Sequence, residues 1–205
     1  MKIGLLYIAV LGMIVSLAGC GQKEEVQLPE ISVIDKAEEN AESGNVGETV
    51  EEQKAFSYLT GLPISTEQKL NRPLAVMLNN IEAGCPQSGI ADAAIVYEAP
   101  VEGRITRLMA IYDDYTNLEK VGSIRSSRDY FVYFALEYDA IYAHFGQSTF
   151  ALPYLDNVDN INGVAEGGDA FYRSNDKKAP HNAYTSFAKL QKMIGKLGYS
   201  QEYDA

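Results

Sequence analysis

The segment Arg125-Ser126-Ser127-Arg128 carries the side chains best suited to binding an anion. It lies directly before residues 129–138, where aromatic and apolar side chains recur at helical spacing. The first turn of a helix presents free backbone N–H groups and the positive end of the helix dipole, and here two hydroxyls and two guanidinium groups would join them. We therefore expect a phosphate or a carboxylate to bind at this place.

A structural role is the alternative for the two arginines. Glu98, Glu102 and Asp129 are acidic residues close to them in the sequence, and an arginine often pairs with a carboxylate through two parallel hydrogen bonds. The arginines would then fix the start of the helix without binding any ligand.

The two histidines of the chain, His144 and His181, stand beside Gly or Asn residues typical of turns. Because loops gather functional residues at the edges of a sheet, we expect both to share one polar cleft with the arginines, Arg173 and Asn182. A histidine there could act as a general base while the arginines stabilise an oxyanion, which would make the protein a cell-wall hydrolase. Alternatively both are structural, with His144 ending a strand and His181 capping the last helix.

Ser-x-x-Lys occurs twice, at Ser174 and at Ser186, but without the Lys-Thr-Gly or Ser-Asp-Asn motifs that accompany it in penicillin-binding enzymes. The sequence contains no Gly-x-Ser-x-Gly nucleophile motif, no P-loop and no dinucleotide-binding glycine pattern. It has neither His-Glu-x-x-His nor paired cysteines, so we assign no catalytic residue, no metal and no cofactor. The net charge of −11, with no basic stretch, argues against nucleic acid as a partner. These observations favour a binding or scaffolding module for an anionic cell-envelope component or a partner protein over the hydrolase.

The N-terminus has the pattern of an export signal. Lys2 precedes an apolar run over residues 3–18, and Leu17-Ala18-Gly19-Cys20 resembles the lipobox of bacterial lipoproteins. We predict a signal peptide over residues 1–19, lipid on Cys20, and a membrane anchor at the extracytoplasmic face of the plasma membrane. An uncleaved transmembrane anchor is the alternative, although the run is short for a bilayer.

The next segment differs in composition from the rest of the chain. Residues 21–57 contain ten acidic residues against three lysines and few aromatic residues. A charged segment of low hydrophobicity cannot bury enough apolar surface to fold. We therefore predict an acidic, disordered tether over residues 20–57 and one folded domain over residues 58–205.

The folded part mixes strands and helices without strict alternation. We predict strands over residues 73–78, 94–98, 105–112 and 140–145, helices over 129–138 and 182–197, and a loop over 157–168. The strands around Gly103 form a hairpin, Ser126 and Ser127 offer caps for the first helix, and Gly198 ends the second. This mixture predicts an α+β or mixed α/β fold with a central mixed sheet and flanking helices.

Several motifs together resemble the N-terminal domain of the YerB-like bacterial lipoproteins, a domain of unknown function. They are Arg72-Pro73-Leu74-Ala75-Val76-Met77-Leu78-Asn79-Asn80, Pro86-Gln87-Ser88-Gly89, Ile95-Val96-Tyr97-Glu98, Glu102-Gly103, Thr106-Arg107, residues 124–130, His144-Phe145-Gly146 and Ala179-Pro180-His181-Asn182. The resemblance implies an envelope lipoprotein with an α/β fold and no established activity. Two positions depart from the pattern, since Cys85 and Ser123 stand where Arg and Pro are expected. Family members usually continue further, so we expect the C-terminal part of the family to be missing and the sheet to be incomplete there.

Lipidation of Cys20 is directly testable. Cells fed a labelled fatty acid should label the wild-type chain and fail to label Cys20→Ala, because only a cysteine thiol at the lipobox accepts the lipid. Autoradiography of the immunoprecipitated protein measures the difference. Equal labelling of the two chains would contradict the prediction.

Overall fold

The strand predicted from the apolar run at Pro73 lies at the centre of the fold. In the computed structural model, which describes residues 55–66 and 68–203, it spans Leu74–Asn79, and every one of its residues is buried. A strand covered on both faces needs a continuous apolar run rather than an alternating one, and this sequence provides it. The predicted signal peptide, Cys20 and residues 20–54 of the predicted tether lie outside the described residues.

Ten strands and four helices make up the described chain, together with short 3-10 turns. In chain order the strands are β1 (Ala55–Phe56), β2 (Pro63–Ile64), β3 (Leu74–Asn79), β4 (Ile95–Val101), β5 (Ile105–Tyr112), β6 (Val121–Gly122), β7 (Ile141–His144), β8 (Asn160–Asn162), β9 (Tyr172–Arg173) and β10 (Ala183–Thr185). The helices are α1 (Asp129–Glu137), α2 (Leu152–Leu155), α3 (Gly163–Glu166) and α4 (Phe187–Leu197).

The main sheet has five strands in the order β4-β5-β3-β7-β8. β5 is antiparallel to both of its neighbours, whereas β3, β7 and β8 run parallel to one another. The β4–β5 pair is the hairpin predicted around Gly103, which adopts a left-handed φ of 77° at the turn. Two smaller sheets, β1-β2 and β6-β10-β9, complete the topology.

Helices cover both faces of the main sheet. Side chains of α1 pack with Met77 and Met109 on one face, and side chains of α4 pack with Val76 and Leu108 on the other. Side chains of successive strand residues point to opposite faces, so neighbours in the sequence divide between two cores. The predicted central mixed sheet with flanking helices is confirmed.

Two element assignments need correction. Residues 157–168, predicted as a loop, contain β8 and α3. β8 has a single apolar residue, Ile161, and it forms a strand because it pairs in parallel with β7. The last helix begins at Phe187 and not at Asn182, since residues 183–185 pair with β6 and β9 as β10. Its predicted end at Gly198, in the left-handed conformation, is confirmed.

The folded domain also begins earlier than residue 58. Ala55 and Phe56 pair with β2, and the Ser57 hydroxyl, which is buried, donates a hydrogen bond to Asp113. Residues 55–57, assigned from composition to the tether, are therefore part of the fold. Local composition cannot show a pairing partner that lies several residues further along the chain.

Arg72 holds together the edge of the sheet at which β3, β7 and β8 begin. Its guanidinium donates to the Asp139 backbone oxygen at 2.8 Å and carboxylate at 3.0 Å, to the Asp159 carboxylate at 2.7 Å and to the Ser200 backbone oxygen at 3.0 Å. The residue is only 6% exposed. Two carboxylates and two carbonyls offset the cost of burying this charge.

Arg72→Met should therefore destabilise the domain by about 2 to 3 kcal/mol, because the substitution keeps an unbranched apolar stem but removes the guanidinium and its charge-assisted hydrogen bonds. Urea unfolding of the full chain in a non-ionic detergent, followed by circular dichroism, measures the loss. Lys192→Met is the control: the Lys192 side chain is 70% exposed and pairs with Asp169 at 3.5 Å, so about 0.5 kcal/mol or less is expected. Equal losses in the two variants would show that Arg72 does not anchor this edge.

Candidate functional site

The candidate site lies at the opposite edge of the main sheet. β3, β4, β7 and β8 all end there and β5 begins there, as their pairing directions require. In open sheets of this kind, ligands usually bind outside the carboxyl ends of the strands. We call this edge the carboxyl edge.

The predicted anion-binding segment lies between the ends of β3 and β7. The Arg125 N–H donates to the Met77 backbone oxygen at 3.1 Å, and the Phe145 N–H donates to the Arg125 oxygen at 3.0 Å. Further along, the Ser127 N–H donates to the Gly146 oxygen at 2.9 Å. Backbone hydrogen bonds to both strands therefore fix this segment at the carboxyl edge.

Arg107 is the site residue that the sequence reasoning did not select. It lies near the start of β5, is 5% exposed, and donates from Nη1 to the Ser126 oxygen at 2.5 Å. Among the described residues, no carboxylate lies within ion-pair distance of its guanidinium. Burial, followed by the charges of Arg128 and Arg125, lowers the pKa of Arg107 to about 10. The sequence did contain a signal for Arg107, because it alternates with Met109 and Ile111 and so shares the apolar face of the predicted strand. A charge in that position is expected to be buried.

Arg125 lies beside this buried charge. Its Nη1 donates to the Pro180 oxygen at 3.1 Å, while its Nε is buried and has no hydrogen-bond partner within the described part of the chain. Burial and the charges of Arg128 and Arg173 lower the pKa of the Arg125 guanidinium. The predicted pairing of Arg125 with Glu98, Glu102 or Asp129 is not seen in residues 55–66 and 68–203.

Arg128, in contrast, has the acidic partner that the structural alternative predicted. Its Nε donates to Glu102 Oε1 at 2.8 Å and to Oε2 at 2.9 Å, and its Nη2 also donates to Oε2. Its Nη1 donates to the backbone oxygens of Ser127 at 2.8 Å and Ser126 at 3.3 Å. The hydrogen bonds from Arg128 lower the pKa of the Glu102 carboxyl, which is ionised at neutral pH.

The two serines do not cap α1 with their hydroxyls, which corrects the sequence-based assignment. Arg128 is the N-cap residue, with extended backbone and no side-chain cap hydrogen bond. Ser127 is fully buried, and its hydroxyl accepts from the Tyr142 hydroxyl at 2.8 Å. Ser126 contributes its backbone oxygen, which accepts from both Arg107 and Arg128.

His181 lies at the same edge through its contact with Asn79, the last residue of β3. Asn79 Nδ2 lies 2.9 Å from His181 Nδ1, so Nδ1 accepts and Nε2 carries the proton of the neutral ring. Burial and the Arg125 charge lower the pKa of His181. The Asn79 side chain has room at this position because residue 84 is a glycine. A Cβ added at residue 84 would lie 2.3 Å from Asn79 Nδ2. The N-cap residue of α4 is Ser186, so His181 does not cap this helix.

His144 does not join this group. It is fully buried at the end of β7, where Nδ1 lies 2.8 Å from the Gly146 oxygen and Nε2 lies 3.2 Å from Asn160 Oδ1. Burial lowers its pKa. With both nitrogens occupied inside the protein, His144 fits the structural alternative and lies outside the expected cleft.

Arg173 and Asn182 act as a pair. The exposed Arg173 donates from Nη1 to Asn182 Oδ1 at 2.9 Å, and its guanidinium carbon lies 4.8 Å from the centre of the Phe145 ring. Asn182 is buried and donates to the Ser174 oxygen at 2.8 Å. Asn182 therefore orients Arg173, whose charge acts on Arg125.

Five residues thus form what we call the basic cluster: Arg107, Arg125, Arg128, Arg173 and His181. It can hold an oxyanion by charge and by directed N–H groups. The described residues contain no group of three His, Cys, Asp or Glu side chains suited to a metal ion. No helix within residues 55–66 and 68–203 is long and apolar enough to cross a membrane.

Comparison with known proteins gives three related matches. Residues 59–200 match the model of a family described as protein of unknown function (DUF3048), N-terminal domain. The putative lipoprotein YerB of Bacillus subtilis (strain 168) is 42% identical over 151 residues, which are 72% of this chain and 45% of that protein. The crystal structure of YerB from Bacillus subtilis superposes with a TM-score of 0.70 at 38% identity, over 74% of this chain and 52% of the other. The chain spans about half the length of these relatives.

The electrostatic link between Arg125 and His181 can be tested by titration. Arg125→Gln should raise the pKa of His181 towards its ordinary value, because it removes a neighbouring positive charge. His144 is the internal control, since burial lowers its pKa and Arg125 does not contribute. Proton NMR of the two imidazole rings measures both values. An unchanged His181, or an equal shift of His144, would contradict the proximity of Arg125 and His181.

Proposed function

The chain belongs to the family of proteins that share the DUF3048 N-terminal domain, as its YerB-like motifs predicted, and from this premise we propose an envelope lipoprotein whose folded domain binds an anion. Lipid on Cys20 anchors it to the extracytoplasmic face of the plasma membrane. The anion is a group of a cell-envelope component or of a partner protein.

Two observations support the anchor. The sequence Leu17-Ala18-Gly19-Cys20 follows a short apolar run, and the relative that is 42% identical is described as a putative lipoprotein. Two acyl chains hold a protein stably on a bilayer, whereas one chain alone does so only marginally. Lipidated Cys20 therefore determines where the domain acts, and the basic cluster determines what it binds.

The buried charge of Arg107 is the observation that carries the binding proposal. A charge taken out of water is costly unless it is paired, and Arg107 has neither an acidic partner among the described residues nor significant exposure. Arg125 and Arg128 add like charges, which lower the pKa of Arg107 further. An oxyanion at this place would offset the repulsion, so the cluster is suited to an anionic ligand.

The charge of the rest of the chain strengthens this argument. The chain has a net charge of −11, yet four arginines gather at this edge, and among the described residues only Arg128 of these four forms an ion pair, with Glu102. An accumulation of one sign against the overall charge marks a place where a ligand of opposite sign is attracted. Binding of this kind weakens as the ionic strength rises, because salt screens the attraction.

The hydrolase alternative has less support. Both nitrogens of His144 face partners inside the protein, and His181 Nδ1 accepts from Asn79. A neutral histidine bonded in this way offers Nε2–H as a donor to an anion and offers no free lone pair for a general base. The arrangement therefore favours binding over hydrolysis.

Arg125→Gln should weaken binding of succinate and inorganic phosphate by about one to two decades in Kd, because one charge-assisted contact contributes about 1.5 to 3 kcal/mol. Calorimetric titration of the full chain in non-ionic detergent, at fixed ionic strength, measures the affinities. Arg104→Gln is the matched control, since Arg104 is exposed on the β4–β5 turn and should leave both affinities nearly unchanged. The proposal fails if neither anion binds the wild-type chain, or if the two variants lose affinity equally.

A further inference from the structure

We infer that Glu102 occupies the place of the ligand on Arg128, and that the ligand is a carboxylate which displaces it. The inference rests on the proposed function, because it names the chemistry of the anion that the basic cluster binds. The ligand's carboxylate takes the Nε and Nη2 donors of Arg128 that Glu102 now holds. The other arginines of the cluster each use Nη1 for a partner inside the protein, and their remaining N–H groups would contact a second acidic group of the same ligand.

Arg128 is held in place without Glu102. Its Nη1 donates to the Ser127 oxygen at 2.8 Å and the Ser126 oxygen at 3.3 Å, and its own backbone oxygen accepts from the Phe131 N–H at 3.2 Å. The side chain is only 13% exposed. The guanidinium therefore keeps its orientation when its remaining edge changes partner, which lowers the entropic cost of binding.

Glu102, by contrast, has Arg128 as its one side-chain hydrogen-bond partner in the described part of the chain, while its own backbone N–H and the Arg107 charge also favour its ionised form. Its side chain is 63% exposed, and its carboxylate contacts no other side chain in the described part of the chain. It stands on the β4–β5 turn, where Gly103 and Arg104 both adopt left-handed φ values, of 77° and 61°. An ion pair with one exposed partner contributes little to stability, so an external carboxylate can replace Glu102 at small cost.

The geometry of the contact identifies the ligand group. Both oxygens of Glu102 accept from one planar edge of the guanidinium. Arginine offers this two-point match to carboxylates and phosphates alike, and the group that occupies it here is a carboxylate. A glutamate is ionised at neutral pH, and Arg128 lowers the pKa of Glu102 further. It therefore competes with the ligand's carboxylate throughout the neutral range. The measured association constant equals the intrinsic one multiplied by the fraction of molecules in which this edge of Arg128 is free.

Glu102→Gln should bind succinate about two- to fivefold more tightly than the wild-type chain, the factor that corresponds to the contribution of one exposed ion pair. Glu98→Gln is the matched control. It removes the same charge from β4, but Glu98 Oε1 accepts from Asn80 at 2.9 Å and Thr106 at 2.6 Å, and no arginine of the described residues donates to it. Calorimetry on the full chain in non-ionic detergent, with succinate and inorganic phosphate as probes of similar charge, gives the four comparisons.

A gain for succinate in Glu102→Gln that is absent in Glu98→Gln supports the inference. Equal gains in both variants would indicate a general effect of charge and would overturn the inference. It is also overturned if succinate binds the wild-type chain and Glu102→Gln binds it no more tightly. A gain for phosphate as large as that for succinate overturns the assignment to a carboxylate. Failure of both probes to bind any of the three chains contradicts the proposed function itself. Adding Arg128→Lys to Glu102→Gln should abolish the gain, because lysine keeps the charge but lacks the planar edge.

Discussion

The burial of β3 on both faces is the constraint on which the rest of the structure depends. This strand pairs with antiparallel β5 on one side and parallel β7 on the other, while α1 and α4 cover its two faces. A strand enclosed in this way leaves its ends as the only places where polar groups can reach solvent. The chemistry of the molecule therefore concentrates at the two edges where the strands begin and end.

A buried arginine stands at each of these edges, and the two have opposite surroundings. Arg72 is 6% exposed and donates to the carboxylates of Asp139 and Asp159. Arg107 is 5% exposed and has only a backbone oxygen as partner, with two further guanidinium groups nearby. The two arginines are equally buried, but only the charge of Arg72 is paired with carboxylates, whereas the charge of Arg107 has no acidic partner within ion-pair distance among the described residues. Burial alone would not distinguish them.

The parallel pairing of β3 with β7 explains why the arginine-rich segment lies where it does. β7 pairs with β3 over Leu74 to Val76, and beyond these residues the segment around Arg125 takes up the hydrogen bonds of both strands. The backbone N–H and C=O groups of this segment therefore have hydrogen-bond partners in the sheet, whereas the guanidinium groups extend to the carboxyl edge and take their partners there. Rigid backbone under convergent charged side chains is the usual requirement for a preorganised binding site.

The sequence by itself determined the elements whose signals are local. The continuous apolar run of β3, the hairpin around Gly103, the periodicity of α1 and the end of α4 at Gly198 follow from neighbouring residues, and the order of motifs identified the family. The short strands β8 and β10 depend on partners elsewhere in the chain, and local patterns could not predict them.

For the candidate site, the sequence predicted four members of the basic cluster from residue types that suit an anion: Arg125, Arg128, Arg173 and His181. Only the tertiary structure decided that His144 is buried away from the cluster and that Arg107 belongs to it. The physical reason is that a charge becomes functional through what surrounds it. The sequence gives the type of each residue directly, whereas burial and ion pairing depend on strands that are far apart in the sequence and meet only in the folded chain.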